Sequence, residues 1–80
     1  QEKYQNAIIE LENILLDYSD EIMADNALFL LGDIYENKIY NLEKAKDCYK
    51  RILFEYKDSY FITEARKRFR KLSKNNPNSL

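Results

Sequence analysis

Few residues in this 80-residue chain have types and spacings suited to chemistry. Histidine is absent. That removes the commonest general base, the serine and cysteine nucleophiles that need an imidazole, and every His-containing metal site. The one cysteine, Cys48, cannot form an internal disulfide. It falls on the flank of an apolar stripe beside Tyr49 and Ile52, next to Asp47, whose charge opposes thiolate formation. A half-buried structural thiol is expected there. Asp17, Asp20 and Asp25 cluster in sequence, but they have neither the spacing nor the glycine of a calcium loop, so helix capping and solvation account for them. No catalytic, cofactor-binding or metal-ligating residue is assigned, and the chain reads as a non-enzyme.

Charge is the second chemical resource. The net charge is −1, unevenly spread: residues 1–63 hold 7 Lys/Arg and 13 Asp/Glu, whereas residues 64–80 hold 6 and 1. The run Arg66, Lys67, Arg68, Arg70, Lys71 could meet phosphates or anionic lipid. No aromatic is spaced along it for base stacking, and the rest of the chain is acidic. These features argue against nucleic acid and against a membrane surface. The longest apolar run, Ala27–Leu31, is far too short to span a bilayer.

The elements that position these groups are helices. One Gly and one Pro leave little material for tight turns. Tyr4, Ala7, Ile8, Leu11, Ile14, Leu15 and Tyr18 keep helical spacing and predict a helix over 3–18. The next, over 21–37, is apolar over most of its girth (Met23, Ala24, Ala27, Leu28, Leu30, Leu31, Ile34, Tyr35) and so belongs between other elements. A third is predicted over 42–57 and a fourth over 59–74. Breaks fall at 19–20, at 37–41, where Asn37 suits a left-handed stop and Asn41 an N-cap, and at 57–58. Residues 1–74 make one all-α domain of four antiparallel helices, and 75–80 read as a disordered tail.

Sliding the chain against itself by 38 positions aligns "ILLDYSDEIMADNALFLLGDIY" with "ILFEYKDSYFITEARKRFRKLS". Ala7 meets Ala45, Leu11 meets Tyr49, Ile14-Leu15 meets Ile52-Leu53, Ala27 meets Ala65 and Leu31 meets Phe69. The only glycine, Gly32, meets Arg70. This is a helix-turn-helix repeat. Leu28-x2-Leu31-Gly32-x2-Tyr35 followed by Ala45-x3-Tyr49 resembles the tetratricopeptide repeat, whose unit of about 34 residues carries W-x2-L-G-x2-Y…A-x3-F…P. The chain departs from that pattern by an extra residue between Tyr35 and Ala45, and by Lys57 and Ser19 at the closing proline. A narrower likeness is to repeats of bacterial cell-envelope proteins of the outer-membrane assembly and Tol-associated type.

The resemblance implies an α-solenoid fragment and a non-enzymatic protein–protein interaction module, the C-terminal part of a larger scaffold or adaptor. Gly32 then lets the following helix approach closely, near Ala45 or Tyr49. The last helix acts as a cap, with Arg70 turned to water. The inner surface of such an array is built by the first helix of each repeat. On it, Ile22, Asn26, Phe29, Asp33, Glu36, Lys67 and Lys71 are the candidate partner-binding residues, with Phe29 as an aromatic amid polar neighbours. Ion pairs from Asp33 and Glu36 to Lys67 and Lys71 are geometrically open, but independent solvation is the simpler expectation. Tyr4, Ile8, Ile9 and Leu16 are candidates for self-association as a homodimer through the first helix, because Ile9 and Leu16 lie opposite its main stripe. Two other readings fit the same residues: an accessory domain of an enzyme with its catalytic part upstream, and a membrane- or nucleic-acid-associated module using the basic last helix.

Overall fold

A computed structural model describes residues 2–17 and 21–74, apart from the side chains of Glu21 and Ile22. The expected break at 19–20, the side chain of Ile22 and the tail 75–80 lie outside the described residues. Four α-helices follow one another: α1 (Glu2–Asp17), α2 (Glu21–Ile34), α3 (Leu42–Glu55) and α4 (Ile62–Lys74). A π-helical turn, Tyr35–Ile39, continues α2. Among the described residues every regular element is helical, so the all-α expectation holds.

The core forms where the helical stripes meet. Leu28 and Leu31 of α2, Ala45, Cys48, Tyr49 and Ile52 of α3, and Ala65 and Leu72 of α4 are buried together, joined by Tyr35 and by Ile8 of α1. Leu28, Tyr49 and Ile52 are the largest fully buried side chains. Phe69, which aligns with the buried Leu31 in the internal repeat, is only partly buried. Ala24, Ala27, Ala45 and Ala65 are essentially inaccessible. Small residues at these positions let neighbouring helices pack at close range.

Several boundaries differ from expectation. The helical backbone runs to Ile39 instead of stopping at Asn37, because the π turn absorbs the extra residue between Tyr35 and Ala45. The left-handed stop is Tyr40 (φ 62°, ψ 33°), not Asn37. Asn37 instead donates its side-chain amide to Asp33 Oδ1 at 2.8 Å. Asn41 caps α3 as expected, its Oδ1 accepting from the backbone N–H of Lys44 at 3.2 Å. The connection before α4 is longer than the two residues expected, running from Tyr56 to Phe61. Buried Ser59 holds it: its Oγ accepts from Phe61 N–H, and its carbonyl accepts from Ile62 N–H.

α2 also departs from expectation. An all-round apolar helix should be covered on every side, yet Met23 is 43% and Leu30 51% exposed. They lie on one strip of α2 with Asn26 and Asp33, at helical spacings of three and four.

Candidate protein-binding face

The face shared by α2 and α4 is organised around Arg68. Its Nη1 donates to Asp33 Oδ1 at 3.0 Å and to the Tyr49 hydroxyl at 3.1 Å. Its Nε donates to Glu64 Oε2 at 3.0 Å. The Tyr49 hydroxyl in turn donates to Glu36 Oε1 at 2.8 Å. One arginine from α4 therefore ties α2, α3 and the π turn together. Tyr49 is fully buried and the Glu36 side chain only 9% exposed, so their hydrogen bond sits in a low-dielectric setting that strengthens it, whereas Asp33 and Glu64 meet Arg68 nearer to water. Burial alone would lower the pKa of Arg68; hydrogen bonds to Tyr49, Glu64 and Asp33 outweigh it and hold the guanidinium charged. Burial, above all, pushes the Tyr49 phenol up, so it stays protonated and able to donate to Glu36.

Aromatic packing closes the other side of Arg68. Phe29 stacks on Phe61 with ring centroids 4.5 Å apart and planes 13° apart. It is tilted against Tyr49 at 5.9 Å. The Arg68 guanidinium lies 4.8 Å from the Phe29 ring centroid, a cation–π arrangement. Tyr60, 92% exposed, sets its ring edge-on to Phe61.

The sequence-expected residues are thus brought partly together. Asp33 and Glu36 are not independently solvated: Asp33 pairs with Arg68, and Glu36 is buried, with Arg68 and Lys71 each at 3.9 Å. Phe29 is not an isolated aromatic on a polar surface, since its ring is engaged by Phe61, Tyr49 and Arg68. Lys67 and Lys71 are exposed and line a polar hollow of about 310 Å³ with Glu36, Asn37, Glu64 and Arg68. Asn26 is exposed on the α2 strip. Sequence reasoning assigned no role on this face to Met23, Leu30 or Arg68. For Met23 and Leu30 the usable signal was an apolar girth wider than two neighbouring helices can cover.

On α1 the self-association candidates separate. Ile9 is 55% and Leu16 82% exposed, whereas Ile8 is 5% exposed and belongs to the core. Ile8 is therefore not available as a contact residue, because it faces α2. Tyr4 is half-buried, with the ammonium groups of Lys3 and Lys38 each 6.0 Å from its ring centroid. Cys48 is more buried than expected, and its thiol is pushed up to about 11, chiefly by burial, which leaves it protonated and unreactive near neutrality.

The family model of the tetratricopeptide repeat matches residues 26–59. Neither a curated protein nor a solved structure matches the chain. The matched span opens within α2 and closes at Ser59, inside the connection between α3 and α4, and it contains the Gly32–Tyr49 approach, the buried Leu28, Leu31, Tyr35 and Ala45, and the π turn that carries the extra residue. Over residues 26–59 the chain is similar to the tetratricopeptide repeat, a helix-turn-helix unit.

Proposed function

We propose that this chain is a non-enzymatic adaptor segment of a larger scaffold protein, holding a polypeptide partner along the α2 strip beside α4. The observation that carries this reading is the half-exposed pair Met23 and Leu30 beside a preorganised polar network. Apolar side chains exposed on a surface that is otherwise polar suit a partner's apolar anchors. Lys67 and Lys71, exposed at the neighbouring hollow, favour carboxylates in that partner. Arg68 rigidifies the face before binding, which lowers the ordering cost of association. Asn26 contributes a polar contact on the same strip, and Phe29 supports the face from beneath, through its stack on Phe61.

The test is selection of short peptides from a random displayed library against the 80-residue chain, followed by affinity measurement on the enriched sequences. Peptides carrying apolar residues with flanking carboxylates should be recovered. Leu30→Lys, and separately Lys67→Glu with Lys71→Glu, should each weaken them at least about tenfold, as loss of a central anchor or of charge complementarity does. Recovery of no binders, or of binders indifferent to both changes, would remove this assignment.

A further inference from the structure

Two helix surfaces carry opposite chemistry, and one of them runs on from that face through Lys67 and Lys71. The outward side of α4 presents Arg66, Lys67, Arg70, Lys71 and Lys74, all exposed. With Thr63 they line a shallow hollow of about 550 Å³ that has no carboxylate in its wall. Arg66–Arg70, Lys67–Lys71 and Arg70–Lys74 are like-charge pairs at i,i+4, a spacing that opposes helix stability until an anion relieves it. The outward side of α1 presents Glu2, Glu10 and Asp17, all exposed, with Lys3 as the one cation of the helix, and exposed Glu12 stands at its edge, on a hollow that it lines with Leu16 and with Lys44 and Arg51 of α3. Among those carboxylates stand the most exposed aliphatic side chains of α1, Ile9 and Leu16.

We infer that these two surfaces dock on one another between copies of the chain, α1 of one copy lying on α4 of the next. Glu2 and Glu12 meet the guanidinium groups of Arg66 and Arg70, and Ile9 and Leu16 rest on the aliphatic stems of the same cations. The sign of the charge selects this arrangement over the two-fold contact through α1 expected from sequence, which would set Glu2 and Glu12 opposite carboxylates of the partner copy. Arg70 also sets its character. It stands where Gly32 stands in the internal repeat, so a helix on α4 is held a side chain's length away instead of packing as α3 packs on α2. The contact is heterologous, joining unlike faces, so association of the 80-residue chain proceeds head to tail past a dimer.

Sedimentation velocity on the 80-residue chain across micromolar to millimolar concentration tests this. The average sedimentation coefficient should keep rising past that of a dimer. It should fall back when salt is raised from about 0.1 M to about 1 M, because the screening length then shrinks from about 10 Å to about 3 Å. Arg66→Glu with Arg70→Glu disables α4 only, and Ile9→Lys with Leu16→Lys disables α1 only. Each variant alone should be monomeric with an unchanged circular dichroism spectrum, since all four side chains are exposed. Mixed, they should form a 1:1 dimer that grows no further, because one supplies α4 and the other α1. A monomeric parent chain would overturn the inference. So would an α4 variant that still dimerises, which is the two-fold outcome, or a mixture that stays monomeric. None of these outcomes bears on peptide binding at Met23 and Leu30.

Discussion

A methyl group on Gly32 would stand 2.6 Å from Tyr49 Cε1 and 2.9 Å from Cζ. Real carbon contacts do not come that close, so the ring would have to retreat. It is poorly placed to do so: Tyr49 is fully buried, and its hydroxyl is fixed by both Glu36 and Arg68. Alanine gains about 1 kcal/mol over glycine in helix propensity, but overpacking costs about 1–3 kcal/mol, so even Gly32→Ala should destabilise. Gly32→Arg should cost several kcal/mol, on the order of the most disruptive core changes. At the equivalent position 70 the side chain is exposed, and Arg70→Gly should cost only about 1 kcal/mol, the propensity difference. Thermal melts of the two variants check this, and similar losses would contradict the packing argument. The glycine's role was legible in the sequence because a lone Gly inside a strong apolar pattern demands a steric reason. The role of Arg68 was not. In sequence it is one cation in a run of five, and only the way α4 lies over α2 separates the one that reaches Asp33 and Tyr49 from those that face water.

At the scale of elements, the turn after α2 shows where local chemistry loses to geometry. Asparagine tolerates the left-handed region better than tyrosine, which made Asn37 the natural stop. The π turn carries the helix past Asn37, however, and leaves Tyr40 to reverse the chain. Its N–H and that of Asn41 both reach back to the Tyr35 carbonyl. The extra residue was visible in the sequence, but not the way it would be absorbed, since a loop extension and a π turn use the same residues. Tyr40 holds φ 62° at a cost of about 1–2 kcal/mol for a residue with a Cβ, and its side chain is 75% exposed, so little packing offsets that cost. Tyr40→Gly should therefore raise stability by roughly 0.5–1 kcal/mol, the relieved strain less the added freedom of the unfolded chain. Denaturant melts would show a higher midpoint at unchanged slope. A lower midpoint would mean that the exposed ring contributes contacts larger than the backbone strain.

Across the whole molecule, the buried residues are distributed in a way that ranks the helices. An 80-residue chain has little stability to spare, so losing one side of its core is decisive. The centre of that core is Tyr49 on α3, held by Gly32 and Glu36 on one side and by Arg68 on the other. α4 supplies Ala65, Leu72 and the partly buried Phe69 to this centre, along with Arg68, which reaches the Tyr49 hydroxyl. α1 supplies one fully buried side chain, Ile8, and the partial cover of Leu11 and Leu15. A chain ending at Asp58 would strand the Glu36–Tyr49 pair without its cation and open one face of α3 to water. Leaving the buried Glu36 carboxylate without a nearby cation is unfavourable by itself. The loss of apolar cover at about 25 cal/mol per Å² adds to that. Such a chain should show no cooperative thermal transition. A chain beginning at Glu21 keeps the whole span similar to the tetratricopeptide repeat and the Arg68 network, and loses mainly the cover over α2. It should still melt cooperatively, at a lower temperature than the parent. Circular dichroism melts of the two truncations give the comparison. If the chain beginning at Glu21 were the one that failed to fold, the centre of stability would lie between α1 and α2, and Arg68 would be a surface tie instead of the closure of the core.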